Sequence, residues 1–303
     1  MGASMHLAER EGFEPSVRYE RTPDFESGTI DHSATSPVVC SAASKATGQP
    51  RKNTLAHLHS PARLAFRDRM IEFGHLSHVG LRRELNEDTY YGDAELGLWL
   101  VADGMGGHDS GEVASAMARD VVTREVRAGR SLSDAIRRAN EDIIQQGAGR
   151  NERMPMGTTV VAVRIAISGR FELAWVGDSR AYLWNGGLQQ VSSDHSFVQE
   201  LIDRGQLTPE QARSHPNRNV VTKALGVTEP DRLAVETVTG ELKLGMQILL
   251  CSDGLTEDVS DALIARALAQ KDISAQECVD HLVAAALDGG GSDNITAILL
   301  RRV

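Results

Sequence analysis

Cysteine and long hydrophobic runs are scarce in this sequence. Only three of its 303 residues are cysteine, and no two of them are spaced as a CxxC pair. This argues against a disulfide framework and favours a reducing compartment. No segment reaches the roughly 18 uninterrupted apolar residues of a membrane span, and the N-terminus lacks the apolar stretch of a signal peptide. We therefore expect a cytoplasmic protein that does not bind membranes.

Positive charge is also in deficit. The chain has 32 Lys and Arg against 42 Asp and Glu, which gives a formal net charge of -10. Nucleic-acid-binding proteins concentrate Lys and Arg on one face, so this class is not expected, and cations and proteins are the expected partners. Hydrophobic residues make up 41% of the chain, which is enough for a sizeable core.

The N-terminal segment differs in composition from the rest. Residues 1–70 show no sustained hydrophobic period of 3.6 or 2.0, and Ser, Thr, Pro and Arg are scattered through them. Such a composition is typical of a disordered extension. Because globular patterning begins at Met70, a misassigned start of the gene is a second interpretation. Residues 71–303 are predicted to form the folded domain, which we expect to be a monomer.

Strands and helices are predicted in mixed order from Ile71 onward. Apolar and β-branched runs bounded by Gly, Asn or Asp predict nine strands, and their short turns favour antiparallel pairing. Ser131 is a predicted helix N-cap, and Ser274 with Glu277 forms a predicted capping box. The helices fall between groups of strands and do not follow each strand in turn. This order predicts an α+β fold.

Five aspartates recur in a similar local setting. Most of them follow an apolar run or a short polar lead-in and are followed at once by Gly, Ser or Asn; the five are Asp88, Asp103, Asp178, Asp253 and Asp293. Each could instead cap a helix or shape a turn. Because acidic residues are poor strand formers, their repetition predicts that they converge on a cation. Carboxylate oxygens suit Mg²⁺ or Mn²⁺, so a two-metal hydrolytic site is predicted.

Six motifs together carry a family resemblance. RRELNED, VADGMGGH, MGTTVVAV, WVGDSRAYL, CSDGLTE and GGGSDN occur in this order. Over about residues 73–303 the chain resembles the PP2C-type (PPM) metal-dependent serine/threonine protein phosphatases, especially the compact bacterial ones. The resemblance implies an αββα sandwich of two stacked antiparallel sheets flanked by helices. It also implies that residues 192–226 form a flap beside the active site.

The resemblance implies a role for each site residue. Asp103, Asp253 and Asp293 would be direct ligands of two Mn²⁺ or Mg²⁺ ions, and the Gly104 carbonyl would coordinate one of them. Asp178 would contact a third, weaker ion. Glu87 and Asp88 would hold metal-coordinated waters, and Arg83 would grip the substrate phosphate, with Arg82 as its solvated neighbour.

The implied reaction is direct hydrolysis of phosphoserine or phosphothreonine by a hydroxide that bridges the two ions, without a covalent enzyme intermediate. Met105 stands where eukaryotic relatives have a histidine proposed as general acid. A metal-bound water or His108 would then protonate the leaving group. The implied partners are phosphorylated proteins and a cognate Ser/Thr kinase. The alternative function is a catalytically silent binding module of the same fold.

Overall fold

Two antiparallel β-sheets stack on one another in the computed structural model, which describes residues 71–106, 110–148 and 155–303. The strands are β1 (Ile71–His78), β2 (Asp88–Asp93), β3 (Leu98–Met105), β4 (Gly157–Thr158), β5 (Val160–Ile165), β6 (Arg170–Val176), β7 (Arg180–Trp184), β8 (Leu188–Gln190), β9 (Glu236–Glu241), β10 (Gln247–Cys251) and β11 (Ile295–Arg302). The helices are α1 (Ser110–Arg127), α2 (Leu132–Gly147), α3 (Phe197–Asp203), α4 (Pro209–Arg213), α5 (Asp253–Asp258), α6 (Asp261–Leu268) and α7 (Ala275–Gly289).

The first sheet has the strand order β1-β11-β10-β7-β8, and the second has the order β2-β3-β5-β6-β9. The short strand β4 pairs with the end of β3. All of these pairings are antiparallel. The predicted α+β class and the sandwich implied by the resemblance are both confirmed.

Side chains that alternate along the strands divide the core into layers. On β3, Leu98 and Leu100 pack with α1 and α2, whereas Trp99 and Val101 face the other sheet. On β10, Leu249 packs with α5, α6 and α7 on the outside of the first sheet. The order of layers is therefore helices, sheet, sheet, helices. This stacking brings the ends of strands from both sheets to one edge.

The predicted helix caps are present. Ser131 accepts a hydrogen bond from the backbone N–H of Asp134 at the start of α2. Ser274 and Glu277 form the capping box of α7, in which each side chain accepts from the other residue's backbone.

No helix in the described ranges is long and apolar enough to cross a bilayer.

One strand begins later than the sequence predicts. The run RLAVETVT was predicted as a single strand, but β9 begins only at Glu236, opposite Trp175 of β6. The preceding Leu233 and Val235 pack into the apolar layer that contains α1 and α2. Hydrophobic contact with the helices, and not strand pairing, therefore buries these residues.

Residues 1–70 lie outside the described ranges, so their disorder stays a prediction.

Candidate active site

The five aspartates singled out in the sequence converge at one edge of the sandwich; together they are called the acidic cluster. Asp88 begins β2 and lies directly opposite Asp103 of β3. Asp253 begins α5 just after β10, and Asp293 lies two residues before β11, the neighbour of β10. Asp178 lies in the turn from β6 to β7, and β7 pairs with β10. Strand pairing and stacking of the sheets thus assemble the cluster from both sheets.

Asp103 and Gly104 lie inside β3 and not at its end. The strand continues to Met105 because Gly104 pairs with Thr158 of β4. The backbone of Asp103 is held on both sides: its N–H donates to Thr159 Oγ1 (3.1 Å), and its C=O accepts from Thr158 Oγ1 (2.8 Å). Two threonines of the MGTTVVAV motif therefore fix the position of this carboxylate.

Gly104 is required by the close approach of three backbone segments. A Cβ atom built on it would lie 2.1 Å from the carbonyl oxygen of Gly111 and 2.7 Å from that of Glu87. The Gly104 N–H also donates to the Glu87 carbonyl (3.1 Å). No side chain fits in this space. The glycine thereby locks the Glu87 backbone against β3 and next to Asp103.

Two residues that sequence reasoning missed organise the cluster. Ser252 is fully buried and donates from Oγ to Oδ2 of Asp88 (2.7 Å). Asn294 accepts from the Glu87 N–H (2.8 Å) through Oδ1 and donates through Nδ2 to the carbonyls of Val79 and Leu85 (2.9 Å each). Both stand beside a singled-out aspartate, in SD and DN pairs, which is the signal that could have found them.

Replacing Asn294 with alanine is expected to destabilise the protein by about 3 kcal/mol, because a backbone N–H and two carbonyls lose their partner. Urea unfolding would measure the change. The matched control is Asn185→Ala, at the exposed turn between β7 and β8, which should cost less than about 0.5 kcal/mol. Equal stability of the two variants would contradict this role of Asn294.

Burial and mutual repulsion disfavour ionisation within the acidic cluster. Burial, together with the charges of Asp253 and Asp293, raises the pKa of Asp88 to about 7 despite its hydrogen bond from Ser252. Burial and the charge of Asp293 raise the pKa of Asp253 to about 6. The pKa values of Asp103 and Asp178 are also well above their usual range, first because of burial and then because of neighbouring aspartates. The buried carboxylates therefore resist carrying their negative charges at the same time.

The donor set fits a hard divalent cation. Among the described residues, Asp88 Oδ1 and Asp253 Oδ1 are buried without a hydrogen-bond partner, so each has a lone pair to offer. The candidate ligands are all oxygen atoms, as Mg²⁺ and Mn²⁺ prefer. Within the same described ranges, no three acidic, His or Cys side chains have the spacing of a preformed metal site. The aspartates would thus have to rotate their carboxylates toward an ion.

Arg83 lies at the edge of the acidic cluster. Its Nη2 contacts Asp293 Oδ2 at 2.7 Å, and its side chain is 51% exposed. The hydrogen bond that Arg83 donates to Asp293 raises the pKa of the guanidinium, and the charges of Asp293, Glu87 and Asp103 act in the same direction, although partial burial opposes this. A permanently charged guanidinium thus faces solvent beside the carboxylates. Arg82 is also exposed, as expected of a solvated neighbour.

A cavity of about 510 Å³ adjoins the cluster. It extends from Asp178 and Asp253 to α3 and α4, which belong to residues 192–226. Arg180 and Asp194 lie in its wall, where Arg180 Nη2 donates to Asp194 Oδ2 (2.7 Å). Glu257 joins this segment to the cluster by accepting from the side chains of Asn219 and Ser292. The structure thus brings the flap implied by the resemblance next to the acidic cluster.

Two histidines were considered for this region, His195 and His108. His195 is buried, and its Nδ1 accepts from the Gly177 N–H (3.0 Å). Burial and the charge of Lys223 lower its pKa to about 4. His195 is thus a hydrogen-bonded structural residue. His108, the candidate general acid, lies outside the described residues, so its role stays a prediction.

Known proteins match both the sequence and the fold. A family model described as Protein phosphatase 2C matches residues 81–271. The serine/threonine protein phosphatase PstP of Mycobacterium tuberculosis is 38% identical over 240 residues, which cover 76% of this chain and 45% of that protein. The serine/threonine phosphatase stp of Listeria innocua is 36% identical over 237 residues, which cover 74% of this chain and 92% of that protein.

A solved structure extends this similarity to a metal-bound form. The catalytic domain of PstP in complex with two manganese ions superposes with a TM-score of 0.67 at 35% identity, covering 76% of this chain and 97% of that one. This chain spans 45% of the length of the M. tuberculosis protein but nearly all of the structurally characterised catalytic domain. The part of PstP that this chain matches is therefore its catalytic domain.

Proposed function

Because this chain belongs to the protein phosphatase 2C family, we propose that it is a metal-dependent phosphatase that removes phosphate from phosphoserine and phosphothreonine in proteins. The observation that carries the proposal is the acidic cluster, in which neighbouring aspartates repel one another and two buried carboxylate oxygens have no partner. Such an arrangement is costly unless it serves to bind cations. The metal-bound relative supports the same assignment.

The assigned metal ligands are Asp103, Asp253 and Asp293, together with the Gly104 carbonyl. Glu87 and Asp88 are assigned to coordinated waters, and Asp178 to a third ion. Two Mn²⁺ or Mg²⁺ ions held there would supply an attacking water of lowered pKa and positive charge for the phosphoryl oxygens. The chain itself contributes alignment: Ser252 fixes one oxygen of Asp88 at 2.7 Å, which leaves Oδ1 to accept from a water.

Arg83 is assigned to the substrate phosphate. Its guanidinium can donate two parallel hydrogen bonds to phosphate oxygens, a geometry that an ammonium group lacks. The contact with Asp293 holds Arg83 at the cluster, where a bound phosphate would meet both the guanidinium and the cations. No side chain of the protein then needs to form a covalent bond to phosphorus.

Arg83→Lys is expected to lower kcat/KM for a phosphopeptide by about 10- to 100-fold, since one charge-assisted hydrogen bond is worth about 1.5–3 kcal/mol. Steady-state kinetics at saturating Mn²⁺ would measure the loss. Arg82→Lys is the matched control, because this neighbour is also exposed and should change kcat/KM by less than about twofold. Equal effects of the two variants would contradict the assignment of Arg83.

The experiment that tests the proposed function is hydrolysis of a phosphothreonine peptide and of p-nitrophenyl phosphate by the full chain, in Mn²⁺ and in excess EDTA. We expect turnover only with the metal. Turnover in EDTA would contradict metal dependence. Binding of the phosphopeptide without turnover in Mn²⁺ would favour the alternative function, a catalytically silent binding module.

Substrates and setting follow as part of the same proposal. We propose phosphorylated proteins in the cytoplasm as substrates, and a Ser/Thr kinase as the opposing enzyme. The names of the two relatives describe Ser/Thr phosphatases and support this substrate class. A comparison of the phosphoproteome with and without the gene would identify the substrates.

A further inference from the structure

Exposed hydrophobic side chains are concentrated around the acidic cluster. The described residues include eight large hydrophobic side chains that are well exposed, and four of them lie on loops bordering the cluster: Leu81 (64%), Leu85 (50%), Val220 (47%) and Val227 (48%). Single exposed apolar side chains scattered over a surface need no explanation. A concentration around one cleft is typical of an interaction surface.

Leu81 and Leu85 flank Arg83, and their backbone is fixed. The Leu81 N–H donates to the Gly291 carbonyl (2.7 Å), and the Leu85 carbonyl accepts from Asn294 Nδ2 (2.9 Å). Both anchors belong to the segment that carries Asp293. The two leucines are thus presented to solvent by a backbone that is already ordered, which reduces the entropic cost of binding a partner.

The two valines border the cluster on other loops. Val220 follows Asn219, whose side chain donates to Glu257 of α5. Val227 lies against Gly157: a Cβ atom added to this glycine would be 2.7 Å from Cγ2 of Val227. The same Cβ atom would be 3.3 Å from Cγ of Met105, which follows Gly104. Exposed apolar side chains therefore occur on the loop that carries Arg83, on the flap beside Glu257 of α5, and on the loop beside β4 and Met105.

We propose that this apolar rim, formed by Leu81, Leu85, Val220 and Val227, binds the residues that flank the phosphorylated Ser or Thr of the substrate. The preferred substrates then carry bulky apolar residues next to the phosphorylated one. This inference rests on the proposed function, because it places the phosphate at Arg83. It adds the chemical class of the flanking sequence.

The short distance between Arg83 and the two leucines favours a phosphorylated polypeptide as the occupant of the rim. Leu81 and Leu85 are each two residues from Arg83. Their Cα atoms therefore lie within about 7 Å of that of Arg83, since this is the span of two fully extended residues. A polypeptide whose phosphate contacts Arg83 must therefore pass over or beside these leucines. A partner that covered the rim without presenting a phosphate would close off the arginine and the carboxylates. We thus favour substrate over a second copy of this chain.

The test uses two phosphothreonine peptides that differ only at the residues flanking the phosphothreonine, which are Leu and Val in one and Ser in the other. For the wild type, we expect kcat/KM to be about 10-fold or more higher for the apolar peptide, given the free energy of burying such side chains. In the double variant Leu81→Ser/Leu85→Ser, the ratio of the two kcat/KM values should fall to about two or less.

A matched control is available at the other end of the sandwich. Ile167 and Leu244 are 78% and 67% exposed, and Ile167 lies in the turn at the end of β6 opposite to Asp178. The double variant Ile167→Ser/Leu244→Ser should keep the wild-type ratio. Hydrolysis of p-nitrophenyl phosphate by each variant reports whether its catalytic centre is assembled.

The outcomes separate this inference from the proposed function. Equal kcat/KM for the two peptides in the wild type, or an unchanged ratio in the leucine variant, would overturn the apolar rim. If no substrate is hydrolysed at all, binding of the same two peptides is measured by fluorescence polarisation, and this measurement tests the apolar rim. Tighter binding of the apolar peptide, lost in the leucine variant, would support the rim and refute only the phosphatase. A dimer that the leucine variant dissociates, with peptide preference unchanged, would overturn the inference in favour of self-association.

Discussion

Replacing Asp253 with asparagine is expected to reduce turnover of a phosphopeptide by on the order of 10³-fold while the protein stays folded. Asparagine has nearly the volume of aspartate, but it removes the negative charge that a divalent cation requires from its ligand. Asp253 also interacts with both Asp103 and Asp293, so its loss affects the whole proposed ligand set. The measurement is kcat at saturating Mn²⁺, with circular dichroism to verify the fold.

The matched control for this variant is Asp280→Asn. Asp280 is exposed on α7 and accepts from Gln276 Nε2 (2.8 Å), away from the acidic cluster. Its replacement should leave kcat within about twofold of the wild type, as is usual for surface positions. An Asp253→Asn variant that keeps more than about a tenth of the activity would refute Asp253 as a ligand.

The metal-free acidic cluster is expected to become more destabilising as the pH rises. Burial and neighbouring charges raise the pKa of Asp253 to about 6, and burial raises that of Asp88 to about 7, above about 3.9 in an unfolded chain. Between about pH 4 and 7 the folded state therefore holds more protons than the unfolded state. The contribution of these groups to the free energy of unfolding consequently falls with rising pH. A bound cation has the opposite effect, because it stabilises the ionised carboxylates.

Thermal unfolding in EDTA and in Mn²⁺ would test this balance. In EDTA at pH 7.5, Asp253→Asn should melt about 5–10 °C above the wild type, and the difference should shrink toward pH 4.5. Mn²⁺ at about 100 times its Kd should raise the Tm of the wild type by about 5–10 °C, and the variant should respond less. A variant that melts below the wild type in EDTA at pH 7.5, or a wild type unaffected by Mn²⁺, would contradict this account.

The comparison with the variant is needed because His195 acts in the opposite sense. Its pKa is lowered to about 4 by burial and by Lys223, so its contribution to stability is present above about pH 6.5 and is lost as the pH falls. This contribution is the same in the wild type and in Asp253→Asn. It therefore cancels in the difference between the two Tm values.

Local sequence predicts the elements of this fold well, because caps and strand patterns depend on near neighbours. Ser131 and the Ser274–Glu277 box begin helices in the structure where the sequence predicts them. One exception is the run before Glu236, where apolar residues predicted as strand pack against helices instead. Periodicity does not tell which apolar partner a residue meets. At Leu233 and Val235, packing against the helices determines the conformation, and strand pairing does not.

The sequence by itself determined which five aspartates recur in a similar local setting, and the family resemblance implied Asp103, Asp253 and Asp293 among them as candidate metal ligands. Only the tertiary structure decided their environment. Ser252 reaches Asp88 across 164 positions of sequence, and Asn294 reaches Glu87 across 207. Burial, and with it the raised pKa values, arises only when the two sheets stack. Hydrogen bonding and desolvation between segments so distant in the chain depend on packing, which no local pattern encodes.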